Sequence, residues 1–236
     1  MIDDMRPNSR LERSRLGAGR SAWSFGVLGC RMKLTAVFEH WHLGDGNYPA
    51  LAVGDEVRLS FELTIHAVDP LPHDAAEEVV QIQDAEYAIA ARLIRRYAEG
   101  DGREFPVFEA DWFRFYCPIA PPDDLPIGAR VRLRGTLALD HYLWVEFLHR
   151  YPDAPDLFYN LRVARVRQVR IPPRFVTRTQ DSLSHPTSVA PTNYGAGDVI
   201  DVRRVAERDD GPAFSLVEFE PLPAGAGPSR PTFIAA

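Results

Sequence analysis

The chain is expected to be mainly β: a small antiparallel barrel or sandwich with irregular or disordered ends. Three observations carry that expectation. Apolar residues recur at every second position in several segments, which marks strands with one buried face. Those segments are short and are bounded by stretches rich in Pro, Gly and Asp. One segment occurs twice: LAVGDEVRLSFELTI (51–65) aligns without a gap with LPIGARVRLRGTLAL (125–139), and six of the 15 positions are identical. Two such units suggest either two related barrels or two similar strands of one sheet.

Composition bounds the reading. The 236 residues suffice for one large domain or two small ones. With 45% hydrophobic and 25% charged residues the chain has an ordinary globular make-up. No apolar run approaches the ~20 residues that span a bilayer, and no secretory signal opens the chain. No membrane partner is expected, and the expected location is cytoplasmic. Cys30 and Cys117 form neither a disulfide framework nor a metal-ligand pair, and no cofactor is expected. Lys33 is the sole lysine among 27 basic residues. That ratio reads as codon bias in a G+C-rich bacterial genome, so each arginine counts for less as evidence of guanidinium chemistry. Net charge is −6, which gives no bulk field for nucleic acid.

Residues 1–32 show no sustained period, carry six arginines against three acids, and hold all three methionines. They read as a disordered leader, or as an over-extended start before Met32. Residues 33–41 read as a first strand and Leu43 to Glu56 as a loop. Residues 53–68 alternate, with Val57, Leu59, Phe61, Leu63 and Ile65 inward. Residues 69–83 read as a loop. For 85–99 both a helix and a strand fit; the strand is favoured because GDGR (100–103) looks like a hairpin turn into a return strand over 105–117.

Residues 125–150 form the clearest hairpin. Val131, Leu133, Gly135 and Leu137 face one way, and so do Leu143, Val145 and Phe147 if Leu139-Asp140-His141 is a three-residue loop. Arg130, Arg132, Arg134, Tyr142, Trp144 and Glu146 then face outward. Residues 157–171 are a last long strand, stopped by Pro172-Pro173. The core domain is expected over 33–173, divisible into β units at 33–68 and 85–173. Residues 174–236 are expected to be an extension with a hairpin over 198–222.

From about Ala85 to Ile171 the order of elements resembles an OB-fold. The residues carrying that resemblance are the hairpin-like pair (86–97, 105–117), the strand Gly128, Val131, Leu133, Gly135, which resembles a fourth OB strand, and the closing strand 157–171. The resemblance implies a barrel that binds single-stranded nucleic acid on an aromatic, basic face.

Four sets of residues are candidate sites. Arg130, Arg132 and Arg134 with Tyr142 and Trp144 form a face suited to binding; the plainer reading is a solvated surface with arginine–aromatic stacking. His40 and His42, at alternate positions of a strand, and Asp45 form a metal candidate. Asp140, His141, Glu146 and His149 mix carboxylates with histidines but lack a nucleophile, and Asp140-His141 reads as a turn. The loop GDGN (44–47) lacks a P-loop's Lys and reads as a tight turn. The functional expectation is a non-catalytic binding module for another protein, an adaptor or an immunity-type inhibitor. Single-stranded nucleic-acid binding is the alternative, and a metal-dependent enzyme the distant one.

Overall fold

The computed structural model describes residues 32–44, 46, 48–98, 104–118, 125–140, 151–170, 199–205, 213–223 and 225–232. Their elements are β1 (Leu34–Glu39), the helical turn α1 (Trp41–Gly44), β2 (Glu56–Leu59), β3 (Phe61–Pro70), β4 (Glu78–Gln83) and β5 (Glu86–Ala98). Then follow β6 (Glu104–Ala110), β7 (Phe113–Tyr116), β8 (Arg130–Leu139), β9 (Tyr159–Arg170), β10 (Val199–Val202) and β11 (Ala213–Pro221). The protein is mainly β, as its alternating pattern implies.

The strand favoured over 85–99 is present, and several other local expectations change. Residues 86–98 are a strand, so alternation outweighs alanine's helical preference once both edges of β5 are paired. The return over 105–117 is two strands, β6 and β7, folded back at Asp111-Trp112, where Asp111 takes a positive φ of 53°. The loop expected over 69–83 contains β4, which turns into β5 through Asp84 at φ 46°. The strand expected over 53–68 breaks at the buried Ser60: β2 pairs with β9, whereas β3 pairs with β8. The hairpin expected over 198–222 is not a hairpin, because β10 and β11 pair with opposite edges of β9. β11 is also a core strand, with Phe214, Leu216, Val217 and Phe219 buried.

A closed five-stranded barrel runs β8–β3–β7–β6–β5 and back to β8. It contains the OB-like pair and the Gly128–Gly135 strand. Its closing strand is β3, from the N-terminal side, rather than 157–171. A second circuit runs β1–β11–β9–β2, passes through Ser60 into β3, and returns through β8 to β1. The circuits share the antiparallel pair β3–β8, and each has one parallel contact, β3 with β7 and β1 with β8.

The two circuits match residue for residue. Gly54 and Gly128, equivalent in the repeat, both have positive φ (97° and 89°). Gly54 N–H donates to Val163 O and Val163 N–H to Asp55 O; Gly128 N–H donates to Leu93 O and Leu93 N–H to Ala129 O. Glu56 then pairs with Arg162 as Arg130 pairs with Arg92. The next register skips Ala164 in β9 and Ile94 in β5, at the same distance from those glycines' partners. In this correspondence β9, β11, β1 and β2–β3 match β5, β6, β7 and β8. The chain visits them in a permuted order, with the second set inserted between β3 and β9.

Phe61 packs where the circuits meet, 5.9 Å from the ring of Phe113 on β7 and 5.8 Å from that of Phe219 on β11. Burying rings from both sets at one contact joins the two circuits in one core cluster.

Candidate functional site

The arginine ladder lies on β8. Val131 and Leu133 are buried, Arg132 and Arg134 are exposed, and Arg130 is half-buried, in keeping with strand alternation. The alternation ends there: Thr136, Leu137, Ala138 and Leu139 are all buried, because β8 is covered on both faces beyond Gly135. Thr136 Oγ1 lies 3.3 Å from His66 Nε2.

Next to the ladder the surface is shallow. Ala90 and Ala88 of β5 oppose Arg132 and Arg134, and on the far side of β5 Glu78 and Val80 of β4 oppose the same two alanines. Val80 is 41% exposed and Ile82, also on β4, is 46% exposed. The outer face of β4–β5–β8 is thus an alanine-floored strip between arginines and an apolar edge strand.

Charge on the ladder is largely answered. Arg130 donates to Ala75 O and lies 3.5 Å from Glu77 Oε1. Arg134 Nε donates to Glu86 Oε1 at 2.6 Å. Arg132 has no ion pair among the described residues; its neighbour across β3 is Asp69. Alongside, Glu109 accepts from Arg114 Nε at 2.7 Å and from Arg92 Nη2 at 2.5 Å. Burial pushes the Glu109 carboxyl up, but the two guanidinium hydrogen bonds outweigh it and hold it below its ordinary value.

Tyr142 and Trp144, with Glu146, His141 and His149, lie outside the described residues. The edges of β8, along which the hairpin over 125–150 is expected to pair, are occupied by other strands. One edge of β8 is taken by β3 from Val131 to Leu139; the other is taken by β5 from Arg130 to Thr136 and then by β1 at Ala138.

The histidine candidate loses its strand geometry. β1 ends at Glu39, His40 lies in a turn, and His42 is in α1, so the two are not alternate residues of one strand face. His40 Nε2 is 3.2 Å from Ser215 Oγ. His42 is buried among the rings of Phe38, Trp41 and Tyr48, with centroids 5.3, 4.1 and 5.4 Å away. Asp45 lies outside the described residues, and among those described no three His, Cys, Asp or Glu side chains gather as a metal-holding group.

One polar cluster escaped sequence reasoning. The Tyr116 hydroxyl lies 2.6 Å from Glu62 Oε2 and 2.5 Å from Asp140 Oδ1. Ser60 Oγ donates to Asp140 Oδ2 at 3.1 Å, and the Tyr48 hydroxyl donates to Asp140 O at 3.0 Å. All are buried. One phenolic proton faces two carboxyl oxygens, so the hydroxyl's own proton cannot serve both contacts at once. Burial, then Asp140 and Glu62, push the Tyr116 hydroxyl well above its usual range; burial and Glu62 do the same to the adjacent Cys117 thiol. Burial therefore favours the neutral form of the Cys117 thiol. The cluster joins β3, β7 and the end of β8 at the parallel contact Glu62–Tyr116. It works as an internal tie rather than a site open to substrate. The available signal was Asp140 following the apolar run Leu137-Ala138-Leu139 directly, a poor place for an unsatisfied carboxylate.

No helix among the described residues is long and apolar enough to cross a membrane. No family model, curated protein or solved structure matches the chain.

Proposed function

We propose that the chain is a non-catalytic binding module whose partner is another protein. The observation that carries this reading is the pair Val80 and Ile82, both exposed on one edge strand beside an alanine-floored strip. Single exposed apolar residues are ordinary, but large ones grouped on one strand favour an interface. Arg132 borders the same strip, and arginine at the margin of an apolar patch suits a protein contact. The alternative, a single-strand nucleic-acid face, is weakened by charge. Arg130 and Arg134 are paired with Glu77 and Glu86, which leaves Arg132 alone of the three to meet phosphate.

The experiment is affinity purification of the native chain alongside its Val80→Lys and Ile82→Lys variants. A stoichiometric polypeptide is expected with the native chain and absent from both variants, each of which melts as the native protein does. Salt-sensitive retention of a single-stranded oligonucleotide that is lost in Arg132→Glu would sink the reading.

A further inference from the structure

We propose that β4 receives an added β-strand from the partner: a short extended segment in which apolar residues alternate with basic ones. This rests on reading the chain as a protein-binding module. Among the described residues β4 pairs with β5 alone, and all its residues except Val79 are exposed. Its second edge therefore presents a row of backbone N–H and C=O groups to solvent. The strand, EVVQIQ, contains no Pro, Gly, Lys or Arg, the residues that commonly protect such an edge. An alternating row of donors and acceptors is matched by another peptide backbone in extended form, not by a phosphodiester chain.

Charge narrows the partner. Asp74 and Glu77 precede β4, Glu78 begins it, Asp84 follows it, and no basic residue lies on it. Glu77 is shared with Arg92 and Arg130, and Asp84 is paired with Arg167, whereas Asp74 and Glu78 are exposed. That edge repels phosphate and favours Lys or Arg on the incoming strand. It also disfavours a second copy of this chain. Antiparallel self-pairing about the middle of β4 would set the exposed Glu78 against Gln83, which gives its carboxylate no cation, and Glu77 against Asp84, each already held by arginine. The register of β4 shifts between Gln81 and Gln83. That bulge ends the straight edge, so the added strand is short and centred on Val80.

The test uses the full chain and a labelled synthetic peptide of about ten residues, long enough for one strand, alternating Val with Lys and Thr. Two counterparts accompany it, one with Glu for Lys and one N-methylated at alternate backbone nitrogens. The Lys peptide is expected to bind, by fluorescence anisotropy, and to slow amide exchange within Glu78–Gln83. Both counterparts are expected to bind about tenfold more weakly or worse, and Val80→Lys is expected to weaken the Lys peptide without lowering the melting temperature. Equal binding of the N-methylated peptide, or unchanged exchange in β4, overturns strand addition, and so does a dimer in sedimentation that Val80→Lys dissociates. A polypeptide partner that cross-links at position 132 while β4 amides stay unprotected overturns strand addition alone. Oligonucleotide retention with no polypeptide partner overturns strand addition together with the module reading.

Discussion

Leu63 faces Leu137 across the shared strand pair, and the pairings on either side of it trade places: Phe61 with Leu139, Ile65 with Gly135. Leu63 and Leu137 are equivalent positions of the sequence repeat, and so are Phe61 with Gly135 and Ile65 with Leu139. A local two-fold relation therefore passes between the two leucines and exchanges the circuits. The repeat is the part of each half that lies nearest this relation, where the two strands pack against each other and are held to the same pattern.

The repeat's glycines make a paired prediction. Gly54 and Gly128 both have positive φ, and a Cβ at either meets nothing within 4 Å. The cost of Ala there is purely conformational, about 1–2 kcal/mol at each site. Asn, which tolerates that region, should cost less. Gly135 differs: a Cβ would lie 2.4 Å from Thr64 O, in backbone that cannot move without shifting the shared pair. Gly135→Ala should lose more, about 3 kcal/mol. Urea unfolding of these variants checks the order; equal losses for Ala at Gly54, Gly128 and Gly135 would contradict it.

Tyr116→Phe should be strongly destabilising. The change keeps the ring in its buried place but removes the oxygen lying between Glu62 and Asp140. Two carboxyl groups then lose a shared partner in a buried setting, for about 2–3 kcal/mol. Tyr48→Phe removes one hydroxyl bond, to the Asp140 carbonyl, and should cost about 1 kcal/mol. Urea unfolding measures both; a smaller loss for Tyr116→Phe than for Tyr48→Phe would refute the tie.

How far these features could be read from sequence follows from what each depends on. Strands with one wet face, such as β5 and the first half of β8, announce themselves by alternation. Thr136 to Leu139 did not, because two-sided burial erases the period. The hairpin expectation over 125–150 rests on local parity, which ranks only the partners near in sequence. β8 instead takes β3 and β5, and nothing local records such distant pairing. The split of 105–117 at Asp111 passed unnoticed because Trp112 continues the aromatic run; the turn is marked only by a left-handed Asp. The exposure of Arg132 and Arg134 was legible, but the neutralisation of Arg134 by Glu86 was not, since that acid arrives from another strand.

Alkaline pH should unfold the protein through its buried tyrosines. Burial raises Tyr87 to about 12, and raises Tyr116 and Tyr159 as well. In the unfolded chain these hydroxyls ionise near 10. Above that pH the unfolded state loses protons that the folded state keeps, so stability is intact below about pH 10 and falls as pH rises toward the folded values. Phenolate absorbance should therefore rise in two parts: a gradual one from accessible tyrosines, and a steep one coincident with loss of the β circular-dichroism signal. Titration of all tyrosines in one smooth step with the fold intact would refute the burial argument.

At the acid end Glu109 should set part of the stability. Its carboxyl is held below its ordinary value by Arg114 and Arg92, against the effect of burial. A depressed carboxylate stabilises the fold above its unfolded pKa, about 4.3, and that contribution is lost as pH falls through the lower folded value. The Glu109 side chain is 15% exposed, while both arginines are above 40% exposed, so solvent screens the pairs. The net worth is about 1 kcal/mol. Glu109→Gln should be less stable than the native chain by that amount near neutral pH, and the difference should vanish well below about pH 4. High salt should shrink it as well, since both guanidinium groups are open to ions. Chemical denaturation of the two proteins across this pH range measures it. A difference that persists unchanged into acid would mean that Glu109 acts through packing rather than charge.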